Sequence, residues 1–300
     1  TITKDKLFFA GSETGMIPVS EDNILFKGRV GPGQMISLDL DKGKYYSDKK
    51  TKDHLSENPI YKKFASNHIE LSKMLNEVKE KHLFEGSDLR ERQFLAGFTI
   101  EDLESILHPM VADQKEAIGS MGDDTPLAVL SDKYRPLYHF FRQNFSQVTN
   151  PPIDSLRENK VMSLKTRFGN LGNILDFTNL TEENIYVLDS PILSNSQLEK
   201  FTNFFGKKSI TIDCTFDKVE NLETSIERIR RESEIAVRQG LTQLILSDKN
   251  ISEKRIPIPM LLSVGAINTH LIKKKLRGYA SINAQTGEAL DTHSFATLIG

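Results

Sequence analysis

The sequence contains little of the residue types that mark several common protein classes. Its 300 residues include one cysteine, Cys214, and no tryptophan. A single cysteine excludes an internal disulfide, a cysteine-rich zinc site and a self-contained iron–sulfur cluster. No apolar run approaches the roughly 20 residues of a membrane-spanning helix, and the first residues lack the layout of a signal peptide. These absences predict a chain without a membrane span, from a reducing compartment such as the cytoplasm.

Charge is nearly balanced, with 39 basic and 41 acidic side chains and a formal net charge of −2. The lack of a basic excess predicts that neither nucleic acid nor an anionic membrane surface is a main partner. Hydrophobic residues make up 38% of the sequence, which is enough for a sizeable core. The chain starts without methionine and stops within an apolar helical pattern at Ala296–Gly300, so we expect it to be cut from a longer one.

The first half of the chain changes from strand-like to helical patterns. Residues up to about Ser47 predict short strands and tight turns, including a hairpin turn at Asp41–Gly43. Residues 64–83 have apolar positions at helical spacing, which predicts one long helix. Three further helices are predicted: Asp88–Leu95, one that opens at the capping sequence Thr99–Asp102 and ends at Pro109, and Arg135–Phe145.

The last third of the chain predicts repeated βα units. Strand patterns occur at 209–216, 241–246 and 279–284, and helical patterns at 222–239, 257–275 and 290–300. The strand centres near Ile212, Ile245 and Ile282 recur every 33 to 37 residues or so, which leaves room for a crossover helix between them. This interval predicts an α/β fold with a mainly parallel sheet.

Polar side chains follow these strands at their carboxyl ends, where α/β folds collect functional groups. The residues are Asp213 and Thr215, Ser247 and Asp248, and Asn283 and Gln285. The sequence lacks a phosphate-binding loop, a nucleophile elbow and a metal-binding histidine pair, and Cys214 falls on the apolar side of its strand, which predicts an inert thiol. The residues alone therefore describe an α/β protein without a self-sufficient catalytic site. The alternative is an independent flavin- or phosphate-binding enzyme that uses the strand ends.

Several sequence motifs are too specific to be ordinary loop sequence. They are Lys115–Ser131, Phe145–Arg157, Val161–Leu164, Ser190–Leu193, Asp213–Phe216, Leu244–Asp248, Pro257–Ala266 and Thr286–Ala289. In this order they resemble the central region of the glutamate synthase large subunit, over about residues 88–300. Earlier residues, including Gly28–Met35, are similar to the closing strands of that enzyme's glutaminase domain. Two positions depart from the family pattern, since Ser294 stands where a second histidine is expected and Leu290 where a basic residue is common.

The resemblance implies a domain organisation. Residues 1–60 would be the C-terminal tail of the glutamine amidotransferase domain, residues 61–97 a helical linker, and residues 98–300 the central domain, truncated at its C-terminal end. It also implies that the central domain is α/β, with mainly parallel strands in a partial (β/α) barrel-like arrangement. A small β-rich segment and the linker would precede it.

The resemblance further implies an activity for the whole enzyme, which makes glutamate from glutamine and 2-oxoglutarate and passes ammonia through an internal tunnel. This chain would hold no catalytic residue, metal or cofactor, while FMN and an iron–sulfur cluster would belong to the downstream part. Its partners would be the glutaminase and FMN-binding domains of the same polypeptide, together with a small electron-donating subunit or ferredoxin. The location would be the cytoplasm, or the plastid stroma for a plant-type enzyme.

Two threonines in these motifs are candidates for lining the ammonia tunnel. Thr125 lies in the Gly-Asp-Asp-Thr-Pro motif, and Thr215 lies at a predicted strand end. A hydroxyl suits such a wall because it can donate and accept a hydrogen bond without carrying charge. The alternative is that Thr125 caps a turn and that Thr215 is an ordinary edge residue.

A proline-containing segment is the candidate scaffold of the domain junction, and it comprises Asn150, Pro151, Pro152, Asp154 and Arg157. The two prolines fix φ, and the first biases Asn150 towards extended backbone. The spacing of Asp154 and Arg157 permits an ion pair. We expect this segment to hold loops in place, with Arg157 reaching a neighbouring domain.

Overall fold

The computed structural model describes residues 1–13, 15–81, 84–115, 126, 128–144, 153–154, 157, 161–173, 175–176 and 184–300. The described residues form two compact units, Thr1–Asn67 and His68–Gly300. None of the described helices is long and apolar enough to cross a membrane.

The first unit consists of short antiparallel ladders followed by two helices. Strand β1 (Ile2–Thr3) pairs with β2 (Ile24–Phe26), β3 (Ser37–Asp39) pairs with β4 (Lys44–Tyr46), and helices α1 (Asp48–Ser56) and α2 (Pro59–Ser66) follow. The predicted hairpin is confirmed, because Asp39 lies opposite Lys44 on either side of the turn. Gly43 has a φ of 58°, a conformation that favours glycine.

The prediction of one helix over residues 64–83 is wrong. Helix α2 ends at Ser66, strand β5 (His68–Glu70) follows, and α3 (Ser72–Asn76) is a separate short helix. Ile69 contributes to a hydrophobic cluster from a strand, whereas Leu71 and Leu75 contribute to the same cluster from the turn and helix after it. The pairing of β5 with a strand more than a hundred residues away overrides the local helical spacing.

The short helix predicted between two glycines is confirmed as α4 (Gly86–Leu95). The helix after it does not end at Pro109, as the sequence predicted. Residues 102–107 form a π-helical turn that continues directly into α5 (His108–Ala112), with Pro109 inside it. Pro109 lies in the first turn of α5, where a residue without an N–H is tolerated.

The predicted helix over residues 135–145 is also wrong within the part that the structure describes. Leu137–Phe140 form a single 3-10 turn after Pro136, and Phe141 has extended backbone. The aromatic residues that suggested a helical face are placed differently, since Tyr138 is buried while Phe140 and Phe141 are exposed.

The smaller sheet of the second unit consists of β5, β6 (Thr166–Phe168) and β7 (Ile185–Leu188), in the order β5-β7-β6. Strand β5 runs parallel to β7, and β6 runs antiparallel to it. Helix α6 (Asn195–Phe205) packs Phe201 and Phe205 against Phe168, with ring centroids 5.6 and 6.1 Å from it.

The βα units predicted in the last third are confirmed. The elements are β8 (Ser209–Asp213), β9 (Thr215–Asp217), α7 (Leu222–Arg238), β10 (Gln243–Ser247), β11 (Arg255–Pro257), α8 (Met260–Lys273), β12 (Ser281–Gln285) and α9 (Thr292–Ile299). Strands β8, β10 and β12 are parallel, in the order β12-β10-β8, with Ile245 between Thr211 and Asn283. The fold is therefore α/β with a parallel main sheet, and β9 and β11 form a separate antiparallel pair.

The main sheet is built around its central strand, β10, whose five residues are all buried. Helices α7 and α8 supply Ile229, Ile267 and Leu271 to the same core. Burial of every residue of the strand, on both of its faces, explains its nearly continuous apolar sequence. Its carboxyl end is consequently a rigid edge on which polar side chains are placed.

Candidate functional site

A cavity of about 630 Å³ lies beside the carboxyl ends of β10 and β12, and we name it the strand-end cavity. Its polar wall includes Asp248, Gln285, Thr286 and Glu288. Most of the remaining wall is apolar and consists of Phe84, Phe94, Leu95, Ala96, Phe216, Leu222, Ile251, Ile256, Pro257 and Pro259. The position follows from the topology, because parallel strands end at one edge of the sheet and their loops surround the space above it.

Asp248 organises the loop that follows β12. Its Oδ2 accepts hydrogen bonds from the hydroxyl of Thr286 at 2.5 Å and from the N–H of Gly287 at 3.1 Å. Burial raises the pKa of Asp248, although these two hydrogen bonds act in the opposite direction. The loop is thereby fixed to the end of β10, and the next residue, Glu288, is directed into the cavity wall.

Glu288 is placed at the N-terminus of α8. Its Oε2 accepts a hydrogen bond of 2.9 Å from the N–H of Met260, the first residue of that helix. Burial, which is the larger cause, and the charge of Asp248 together nevertheless raise the pKa of Glu288 to about 7. A carboxyl group that titrates near neutral pH in an apolar wall can both hold and release a proton, which is a common property of functional sites.

Two tyrosines lie near these carboxyl groups. Tyr138 is 2% exposed, and its backbone carbonyl is 3.0 Å from Nε2 of the buried His293 on α9. Its hydroxyl has no hydrogen-bond partner among the described residues. Burial and then the charges of Glu288 and Asp248 raise the pKa of Tyr138, and burial and Glu288 likewise raise the pKa of Tyr134. Both phenols therefore remain protonated at neutral pH.

Arg92 connects α4 to the loop after β10. Its guanidinium lies 4.0 Å from the ring centroid of Phe84, and Nη1 donates a hydrogen bond of 3.2 Å to the carbonyl of Lys249. Nε is 3.2 Å from Oδ1 of Asp88 on the same helix. These contacts hold one apolar wall of the strand-end cavity, including Phe94 and Leu95, against the sheet.

A second polar network surrounds the end of β8, and we name it the arginine clamp, consisting of Asp213, Thr215, Arg228 and Arg255. Arg255 donates from Nε to the hydroxyl of Thr215 at 2.8 Å and from Nη2 to Oδ2 of Asp213 at 3.0 Å. Arg228 donates to the backbone carbonyls of Asp213 and Thr215. Burial raises the pKa of Asp213, but hydrogen bonds from Thr215 and Asn250 and the charge of Arg255 outweigh it, so the net pKa is lowered.

The structure places Thr215 inside this clamp. The residue is 0% exposed, and its hydroxyl donates to Oδ1 of Asp213 at 2.7 Å while accepting from Arg255. The neighbouring Phe216 lines the strand-end cavity, whereas Thr215 itself is not part of that wall. The role of Thr215 in a tunnel stays a prediction. An ammonia molecule that formed a hydrogen bond with this hydroxyl would compete with its two existing hydrogen bonds.

The remaining predicted site residues fall mainly outside the described residues, namely Thr125, Asn150, Pro151 and Pro152. Asp154 and Arg157 are described, and Oδ1 of Asp154 accepts a hydrogen bond of 2.8 Å from the backbone N–H of Arg157. The contact forms a local turn of the kind that aspartate favours. The scaffold role of this segment stays a prediction.

The thiol prediction is confirmed, because Cys214 is 0% exposed and burial raises its pKa to about 11. Among the described residues, no group of three or more His, Cys, Asp or Glu side chains is placed to hold a metal ion.

Sequence reasoning placed Asp248 and Gln285 at the strand ends but missed Glu288 and Tyr138. The available signal for Glu288 was its position four residues after a predicted strand, in a segment with Thr286 and Gly287. Tyr138 carried no such signal, because its proximity to Glu288 depends on contacts between segments about 150 residues apart.

The fold and the cavity define an α/β domain in which crossover helices cover a parallel sheet and one acidic loop closes its carboxyl edge. The chain belongs to the glutamate synthase family, which confirms the resemblance found in its motifs. Residues 91–300 match the family described as the glutamate synthase central domain, and residues 1–64 match the class-II glutamine amidotransferases.

Named relatives agree with this assignment. The chain is 51% identical to the large chain of the NADPH glutamate synthase of Azospirillum brasilense, over its whole length and 20% of the relative. It is 40% identical to the corresponding chain of Bacillus subtilis (strain 168), over 100% of this chain and 20% of the relative. Identity to the chloroplastic ferredoxin-dependent glutamate synthase of Spinacia oleracea is 38%, over 99% of this chain and 19% of the relative. The chain therefore spans about a fifth of the length of these relatives.

Proposed function

We propose that this chain is the connecting domain of a glutamate synthase, linking the glutaminase domain to the FMN-binding domain and contributing to the passage that carries ammonia between them. The observation that carries the proposal is the match of one chain to two families in succession, the amidotransferase end at 1–64 and the central domain at 91–300. A segment in that position, in relatives about five times longer, suits a connector between reaction centres.

An ammonia passage has clear physical requirements. The pKa of ammonium lies well above 7, so ammonia released into water becomes a cation that is not nucleophilic. A passage that keeps it neutral needs an apolar wall with few hydrogen-bonding groups. The strand-end cavity, with its mainly apolar wall and a few polar groups at the sheet edge, supports this role.

We assign the passage and the domain junction as the motifs suggest. Thr125 and Thr215 would line the passage, and the junction scaffold would be the segment containing Asn150, Pro151, Pro152, Asp154 and Arg157. The domain limits would be 1–60 for the amidotransferase tail, 61–97 for the linker and 98–300 for the central domain, whose parallel strands would form part of a (β/α) barrel-like arrangement. The compact units divide at Asn67, within the proposed linker.

The cofactors and outside partners would lie beyond this chain. FMN and an iron–sulfur cluster would belong to the downstream part of the polypeptide. The relatives are named for NADPH or for ferredoxin, so the electron donor would be a small subunit that uses reduced pyridine nucleotide or ferredoxin itself. The cytoplasm would be the location, or the plastid stroma in a plant-type enzyme, as the chloroplastic relatives suggest.

Coupling measurements on the full-length enzyme test the proposal. In Thr215→Val, the amount of glutamine hydrolysed per glutamate formed should rise while glutaminase turnover remains, because the variant removes a hydroxyl without changing side-chain shape. Thr211→Val is the matched control, since Thr211 is an exposed residue of β8, the strand that precedes Thr215. If the amount of glutamine hydrolysed per glutamate formed were unchanged in Thr215→Val, the proposal that Thr215 lines the passage would be wrong.

A second measurement addresses the connector role as a whole. The purified chain should be colourless and should not turn over glutamine. A tightly held flavin would instead favour the independent flavin- or phosphate-binding enzyme.

A further inference from the structure

Several apolar side chains in the wall of the strand-end cavity are exposed to solvent. Phe94 on α4 is 80% exposed and Tyr134 is 63% exposed, although both contribute to the wall. Leu222 at the start of α7 and Ile256 on β11 also line the cavity and are exposed. Single exposed apolar side chains are normal, but several that meet at one cavity mark a binding surface.

This apolar surface continues towards α9, the last helix described. Tyr134 is followed by the 3-10 turn Leu137–Phe140, in which the carbonyl of Tyr138 lies 3.0 Å from Nε2 of His293 on α9. The turn and the residue after it add two further exposed rings, Phe140 and Phe141. Exposed apolar side chains therefore link the cavity to the turn that contacts α9.

The polar part of the cavity wall carries both signs of charge. Asp248 and Glu288 are acidic, whereas Arg92 and Lys249 are basic. A wall of this kind does not favour a ligand of one charge. Aromatic side chains and an arginine beside polar groups of both signs are instead typical of a protein–protein interface.

The proposed ammonia passage also requires a cover over these exposed side chains, because ammonia in contact with water becomes ammonium. The relatives are about five times longer than this chain, so most of the polypeptide would lie outside residues 1–300. Helix α9 begins four residues after Glu288 of the wall. Its eight residues span about 12 Å, so chain beyond Gly300 would start a short distance from the cavity.

We propose that the strand-end cavity, together with Phe140 and Phe141, docks an apolar segment of the same polypeptide from beyond Gly300. The proposal rests on the proposed connector function and deepens it, because it identifies the face of the central domain that the downstream FMN-binding domain covers. The segment presents aliphatic or aromatic side chains to Phe94, Tyr134 and Leu222. Docking there excludes water from the passage.

Photo-crosslinking of the full-length enzyme tests the proposal. The photoreactive residue p-benzoylphenylalanine is placed at Phe94, the enzyme is irradiated, and mass spectrometry of the digest identifies the captured peptide. We expect a peptide from beyond Gly300, in a product of monomer mass, and capture of the same region when the photoreactive residue is placed at Leu222. Ile272 is the control position, because it is exposed on α8 but outside the cavity wall, and it should not capture this region.

Three results would each overturn the proposal. They are capture of residues 1–300 only, capture of a second copy in a product of twice the monomer mass, and no captured peptide at either position. A small molecule attached to the photoreactive residue in place of a peptide would likewise show that another occupant fills the cavity.

Hydrogen exchange provides a second measurement on the full-length enzyme. In Phe94→Asp, exchange in the captured segment should become at least about tenfold faster, because a charge is placed in the apolar centre of the interface. Ile272→Asp is the control and should leave this exchange unchanged. Equal exchange in Phe94→Asp and in the unchanged enzyme would contradict docking at the cavity.

The docking proposal and the proposed function can fail separately. The amount of glutamine hydrolysed per glutamate formed reports on the connector and its passage, whereas the crosslink reports on docking alone. Coupled turnover without the crosslink would remove the docking surface and leave the connector function. The crosslink without coupled turnover would leave the docking surface and remove the passage.

Discussion

Oε2 of Glu288 lies 2.9 Å from the backbone nitrogen of Met260, so an acidic side chain meets the first turn of a helix inside an apolar wall. Two effects on its pKa oppose each other there. The helix N-terminus favours the carboxylate, whereas removal from water favours the protonated acid. Desolvation is the larger effect, since the pKa is raised to about 7. This relationship gives the cavity wall a group that titrates near neutral pH.

Glu288→Gln should stabilise the protein at alkaline pH. The ordinary pKa of 4.5 is raised to about 7 in the folded state, so the folded protein binds more protons between these values. Stability is therefore lost as the pH rises through this window. Near pH 8.5 the free energy of unfolding of the variant should exceed that of the unchanged protein by up to about 3 kcal/mol. Near pH 4 the free energies of unfolding of the two proteins should be similar. Urea denaturation at both pH values measures the difference.

Glu77→Gln serves as the control for this measurement, because the same substitution is made at an exposed site. It should leave the free energy of unfolding nearly unchanged at both pH values. If Glu288→Gln behaved in the same way, the desolvation of Glu288 would be contradicted.

Arg255→Ala should destabilise the fold by about 1–3 kcal/mol, because it removes the donors to Asp213 and to the buried hydroxyl of Thr215. Arg231→Ala, at an exposed position of α7 without an ion pair among the described residues, is the matched control and should change the free energy of unfolding by less than about 0.5 kcal/mol. Urea denaturation near pH 7 compares the two. Equal effects would show that the arginine clamp contributes nothing specific.

Two glycine substitutions should act in opposite directions. A Cβ added at Gly278 would overlap the carbonyl oxygen of Gly172, so Gly278→Ala requires backbone movement and should cost about 1–3 kcal/mol. A Cβ at Gly265, within α8, has open space around it, so Gly265→Ala should stabilise the protein by roughly 0.5–1 kcal/mol. Thermal unfolding should give a lower Tm for the first variant and a higher Tm for the second. The same direction for both would contradict the close approach at Gly278.

Cys214 should resist thiol reagents while the protein is folded. The side chain is 0% exposed, and burial raises its pKa to about 11, so little reactive thiolate forms near neutral pH. The reagent DTNB should release about one equivalent of thiolate in denaturant and almost none without it. Rapid reaction of the folded protein would contradict the burial.

The sequence was informative where structure depends on neighbouring residues. Strand β10 and helices α7 and α8 are found where apolar spacing predicted them, because one face or both faces of each element are buried over several consecutive turns or residues. The helix predicted over residues 64–83 is wrong because that prediction also used only local spacing. Their spacing fits a helix, but His68–Glu70 gain backbone hydrogen bonds from β7, which local spacing does not register.

By itself the sequence determined the α/β class, the parallel βα units, the inert thiol and the family, because periodicity and ordered motifs are properties of contiguous residues. Only the tertiary structure decided how the loop after β12 meets α8, which charged groups surround Thr215, and that Glu288 lies near Tyr138. Those contacts join segments far apart in the chain, and their chemistry depends on burial. A carboxyl group changes its pKa only when folding removes its water.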